Sequence, residues 1–175
     1  MTIWTVGHST HPFERFIELL RTHQIEALAD VRRFPGSRRH PHFSAASLTI
    51  ELPKVGIAYH PFVDLGGRRK PKPDSRNTAW KHPAFRGYAD YRETPEFEGA
   101  INRLLELAAS RRTAIMCAEA YWGSCHRSII SDYLKAAGHQ VLHIGSSGEA
   151  TEHPYTKVAS VVDGKPTYAE PDLFS

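Results

Sequence analysis

The chain has only two cysteines, Cys117 and Cys125, among its 175 residues, too few for a disulfide scaffold. In a reducing compartment they read as thiols, metal ligands or a transient redox pair. Long apolar runs are also lacking: nothing approaches the ~20 apolar residues that a membrane helix needs. The opening Met1-Thr2-Ile3-Trp4-Thr5-Val6-Gly7 has neither the basic region nor the apolar segment of a secretory signal. A soluble cytoplasmic protein without membrane contact is expected. Also missing are a Walker loop, G-x-G-x-x-G, the zincin H-E-x-x-H, the G-x-S-x-G elbow and any C-x-x-C pair. With 41% hydrophobic and 23% charged residues the composition is that of a globular domain rather than a disordered chain.

What is present is an alternation of β-like runs with segments of helical period. Strands are expected over 3–7, 27–32, 56–62, 113–118 and 140–144. Between them, Phe13, Phe16, Ile17 and Leu20 form one helical stripe behind Pro12. Ser44 heads a helix through Leu48 and Leu52 that Pro53 stops. Thr94-Pro95 starts another, with Phe97, Ile101, Leu104, Leu105 and Ala108 on one face, and Ser124 a further one ending at Gly138. Residues 159–168 read as a hairpin turning at Asp163-Gly164. The pattern predicts a single α/β domain over 1–175, in three layers. Its five-stranded, mainly parallel sheet has order 3-2-1-4-5, with helices on both faces and a C-terminal hairpin. An irregular basic insertion occupies about 64–92, and a loop of that length inside a domain is often functional.

The net charge of +3 conceals an asymmetry. Segment 31–40 carries Arg32, Arg33, Arg38 and Arg39, and segment 66–88 carries seven basic residues against the single acid Asp74. Their balance of +10 leaves −7 for the rest. Such concentration favours an anionic partner, although a solvated basic surface has the same signature.

In the predicted topology, polar clusters fall at the carboxyl ends of strands, where open α/β sheets bind ligands. Cys125 lies at a predicted helix start beside His126 and Arg127, a setting that lowers a thiol pKa and yields a nucleophile. Cys117 ends an apolar strand and is either core filler or site wall. Glu119 is a candidate general base, and His8 and His126 are candidate acid/base residues. Arg32, Arg38, Arg127 and Arg68, with Ser9, are candidate anion contacts. Gly66 and Gly67 offer exposed amides, and Asp30 stands as a supporting residue. No cofactor is expected. A metal bound by Cys125 and His126, helped by Cys117 and His8, is a lesser alternative, because the spacing fits no common zinc site.

Taken together, Gly7-His8-Ser9-Thr10, Asp30-Val31-Arg32 with Pro35-x-Ser37-Arg38, Leu65-Gly66-Gly67, and Cys117-Ala118-Glu119 with Cys125-His126-Arg127 resemble the bacterial and archaeal DUF-488 family. The resemblance runs from about 3 to 144, and His153-Pro154-Tyr155-Thr156 is similar as well. It implies a compact α/β domain whose motif residues form a polar cleft, and it brings no settled activity with it.

Three functions follow as expectations. The first is an enzyme, a hydrolase or a transferase, acting on an anionic small molecule that bears phosphate or is nucleotide-like. The second is a nucleic-acid-binding module using segment 66–88, with Trp80, Phe85 and Tyr88 as stacking residues. The third is a thiol-redox or metal-binding protein built on Cys117 and Cys125. The sequence carries no signal of oligomeric state.

Overall fold

A computed structural model describes residues 1–171. Strand β1 (Thr2–Gly7) alternates as an extended chain must: Ile3 enters one core, Trp4 and Val6 the other. Helix α1 (Phe13–Thr22) buries Phe16, Ile17, Leu19 and Leu20. It leads to β2 (Ala27–Asp30), whose four residues are all buried. Helix α2 (Ala45–Lys54) opens at Ser44, whose Oγ accepts the Ser47 N–H at 3.2 Å. Pro53 stands in its last turn, so the helix runs one residue past it. Strand β3 (Ala58–Pro61) follows.

The stretch expected to be irregular contains helix α3 (Pro83–Arg92), which corrects that reading. Pro83 takes the first helical position and the His82 ring accepts the Ala84 N–H, a start that Gly/Pro-rich composition obscures. Gly87 allows the preceding chain to press on this helix, since a Cβ there would lie 1.9 Å from the Arg69 carbonyl oxygen. Helix α4 (Pro95–Ser110) is capped by Thr94. Strand β4 (Thr113–Cys117), helix α5 (Arg127–Ala136) and strand β5 (Gln140–Ile144) complete the alternation. The last helix is not headed by Ser124, which lies in a 3-10 turn two residues ahead of it. A short β6 (Ala150–Glu152) pairs antiparallel with β5. Strands β7 (Ser160–Val162) and β8 (Lys165–Thr167) form the hairpin, with Asp163 and Gly164 both at positive φ as its tight turn requires.

The central sheet has six strands in the order β3-β2-β4-β1-β5-β6, not the expected 3-2-1-4-5. Strand β4 sits between β1 and β2 and pairs in parallel with both. All five of its residues are buried, so both of its backbone edges need partners, and a place between two strands supplies them. Helices α1 and α2 cover one face; α3, α4 and α5 cover the other. The neighbours β1 and β4 therefore send their helices to opposite faces. Their carboxyl ends still make the switch point at which a cleft opens. No helix among the described residues is long and apolar enough to cross a membrane.

Candidate functional site

At the switch point, backbone locks the strand ends together. The His8 N–H donates to the Cys117 carbonyl and the Ser9 N–H to that of Ala118, both at 2.9 Å, extending the β1–β4 ladder past the strands. Gly7 is required here. A Cβ on it would meet the Glu119 carbonyl oxygen at 1.7 Å, so only glycine lets the chain leaving β4 cross over β1.

Beneath this crossing lies the thiol pair. Cys117 Sγ and Cys125 Sγ are 2.8 Å apart and both thiols are free. Cys125 precedes α5, and its sulfur accepts from the backbone N–H of Arg127 at 3.4 Å and from the Arg127 Nε–H at 3.3 Å. Arg127 is 1% exposed. Its guanidinium also donates to Thr5 Oγ1 at 3.1 Å and to the carbonyls of Glu119 and Ala120. None of these partners among the described residues is a carboxylate, so the nearest available anion is the Cys125 thiolate. Burial opposes ionisation of Cys125. The S–H bond from Cys117 and the charge and N–H donors of Arg127 outweigh it and lower the pKa to about 5. Burial and the hydrogen bond to Cys125 push Cys117 up, so it keeps its proton and donates it.

His126 is held neutral by burial, and its Nε2–H donates to the Val31 carbonyl at 2.7 Å. The Nδ1 lone pair is left over, and it faces Gly67, where a Cβ would come within 2.9 Å. Arg32 follows the end of β2 and folds back on Asp30 in a bidentate pair at 2.9 and 2.7 Å, to which Tyr59 adds its hydroxyl at 2.6 Å. His8 is buried, stacks on Phe43 at 4.6 Å and donates from Nδ1 to the Ser9 carbonyl. Burial lowers its pKa to about 4, so at neutral pH its Nε2 accepts from Arg32 at 3.4 Å.

A cleft of about 370 Å³ opens above the thiols. Of the residues singled out from sequence, Cys117, Cys125, His126, Glu119, Arg32, Arg68 and Gly67 line it. Arg127 lies below the floor and holds Cys125 instead of facing the cleft, because its donors are spent on the sulfur, Thr5 and two carbonyls. His8 and Asp30 stand behind Arg32, and Ser9 is a turn residue at φ 46°. Gly66 packs directly against the Arg33 backbone, and Arg38 is exposed on a loop away from the lining. Arg33, Phe34, His82 and Phe85 complete the rim. The sequence marked Arg33 only as part of a basic segment and Phe85 only as a nucleic-acid stacking residue, and it gave no sign of His82; the exposure of Phe34 (64%) between two arginines is a signal once the loop is placed. Of the stacking residues expected of a nucleic-acid surface, Tyr88 is buried and Trp80 packs against the core, while Phe85, stacked on Trp80, lines the cleft. Among the described residues no group of three or more His, Cys, Asp or Glu side chains is placed to hold a metal ion.

Comparison with known proteins adds one match. The family model described as "Domain of unknown function DUF488" covers residues 12–134. No curated protein and no solved structure is significantly similar to the chain.

Proposed function

Because the chain belongs to the DUF488 family, whose description assigns no reaction, we propose from the site alone that it is a thiol-dependent enzyme acting on an anionic, phosphate-bearing substrate of nucleotide type. One observation carries the reading: a fully buried arginine without a carboxylate partner stands against the sulfur of Cys125, at the floor of an arginine-rimmed cleft. An unpaired buried charge is costly, and ionising the thiol removes that cost. Cys125 is then a nucleophile at neutral pH without a separate base. Arg33 and Arg68 sit at the mouth, each with its guanidinium beside the Phe34 ring at 5.6 and 5.5 Å. A cationic rim with an exposed aromatic face suits an anion that carries a planar ring. His126 offers its Nδ1 lone pair to a proton, and Glu119 offers a carboxylate at the lip.

The test is alkylation by iodoacetamide, mapped by mass spectrometry. Cys125 should label first, with a rate midpoint near pH 5. Inorganic phosphate and AMP should slow the labelling, and Arg33→Ala with Arg68→Ala should remove that protection. A panel of phosphomonoesters and nucleotides is then screened for turnover, which Cys125→Ser must abolish. A Cys125 that labels only in the alkaline range, or turnover that survives its replacement, overturns the reading.

The 2.8 Å contact between the two sulfurs favours a second reading, a thiol-redox protein. Closing the disulfide removes two electrons, which a hydroperoxide takes up as its O–O bond breaks to water and alcohol. Thiol titration then finds two thiols before peroxide and none after it.

A further inference from the structure

Arg127 has a second set of contacts, on the side away from the cleft. Its NH1 donates to Thr5 Oγ1, which lies 2.6 Å from His143 Nδ1. His143 Nε2 is 2.8 Å from His153 Nδ1, and His153 Nε2 is 2.8 Å from Asp132 Oδ1. All of these side chains are buried. With one proton on each ring, a single arrangement satisfies every atom. Asp132 only accepts, so His153 donates from Nε2 and accepts at Nδ1. His143 therefore donates from Nε2, and Thr5 turns its O–H to His143 and its lone pair to Arg127. Every donor points the same way, from the buried cation to the buried carboxylate. Asp132 is fixed in turn by the Thr156 N–H, the Thr156 hydroxyl and the Tyr168 hydroxyl. Trp122, next to the thiol loop, lies flat on His143 at 4.7 Å and covers it.

We propose that Thr5, His143, His153 and Asp132 form a buried positioning relay that fixes Arg127 against Cys125 and so sets the reactivity of the thiol from behind the cleft. The proposal rests on Cys125 acting as a thiolate, as argued above. Thr5 on β1 and His143 on β5 hold opposite sides of one hydroxyl contact, and α5 carries both Arg127 and Asp132, so the relay ties the helix that bears the arginine to the sheet beneath it. The titratable groups around Cys125 are Cys117 from β4, Tyr88 from α3, and its chain neighbours His126 and Arg127. Around the histidines they are Arg127, Asp132 and Tyr168, with Lys135 Nζ on the His153 carbonyl. Burial first, with the Arg127 charge beside it, lowers His143 to about 3, which keeps it singly protonated.

The test compares Thr5→Val, which removes the hydroxyl at nearly constant volume, with Thr5→Ser, which keeps it. Losing one hydrogen bond to a charged group should raise the alkylation midpoint of Cys125 by about one pH unit, a tenfold slower labelling below the midpoint. Thr5→Ser should stay close to the parent. In parallel, nitrogen-15 NMR of the unaltered protein should find His143 and His153 both protonated at Nε2, and alkylation of Cys125 should shift the His143 signals. A Thr5→Val variant that keeps the acidic midpoint overturns the relay alone. So does a His143 protonated at Nδ1, an outcome that decides the matter even where Thr5→Val does not fold. An ordinary alkaline midpoint in the unaltered protein overturns the proposed function and the relay with it.

Discussion

If Cys125 ionises on folding, the free energy of unfolding must depend on pH in a way that one substitution removes. The folded pKa is lowered from 9.0 to about 5. The stabilisation is fully present above the unfolded value and is lost as pH falls through the folded one. Between about pH 5 and pH 9 stability should climb by roughly 1.4 kcal/mol per pH unit from this group, reaching about 3 kcal/mol at pH 7. Cys117 is shifted the other way, and its effect lies above pH 9, outside this window. Other titrating groups contribute to the absolute curve, so the quantity to measure is the difference between the parent and Cys125→Ser. Serine keeps the shape of the site and does not ionise. Urea unfolding at half-unit steps from pH 5.5 to 8, with m held common, gives that difference directly. The gap between the two proteins should widen steadily with pH. Parallel curves would mean that Cys125 remains a thiol in the folded protein, and the account of Arg127 as its counter-ion would be wrong.

Two further expectations test the scaffold of the cleft. Gly7→Ala forces a methyl into the Glu119 backbone, and no flexible side chain is there to give way; it should cost about 3 kcal/mol in urea unfolding and slow Cys125 labelling. Asp30→Asn strips Arg32 of its bidentate carboxylate and leaves a buried guanidinium uncompensated, at about 3–5 kcal/mol by the same measurement. A loss below 1 kcal/mol would show that Arg32 finds solvent through the cleft.

Much of this was legible in the sequence where local patterns decide the outcome. The strand at 140–144 has the bounds its pattern implies, and the Thr94-Pro95 helix start appears as its capping chemistry requires. Strand order was not legible, because β4 inserts between β1 and β2 through pairings with residues far away in the chain. Helix α3 was hidden by a run of Gly, Pro and basic residues, whose apolar count is too low to display a period. The thiol and its neighbours stood out because Cys-His-Arg after a polar loop makes a poor core sequence. Arg127 nevertheless looked like an anion clamp: arginine is rarely buried to this degree, and nothing in its neighbours foretells Thr5 as a partner 122 residues away. The same distance conceals the histidine relay, whose first link joins residues 138 apart. Its one sequence trace was the similarity of His153-Pro154-Tyr155-Thr156 to the family pattern, with no chemistry attached.

Gly7 divides the molecule into parts with different freedom to change. The thiols stand on a floor stitched by main-chain contacts between two central strands, where any added atom collides with backbone. The rim is made instead of side chains on connecting segments, such as Arg33, Phe34 and Arg68, and the Phe34 ring is exposed. Under the proposed function, a few rim substitutions can change ligand preference while the sulfur of Cys125 is inherited unchanged.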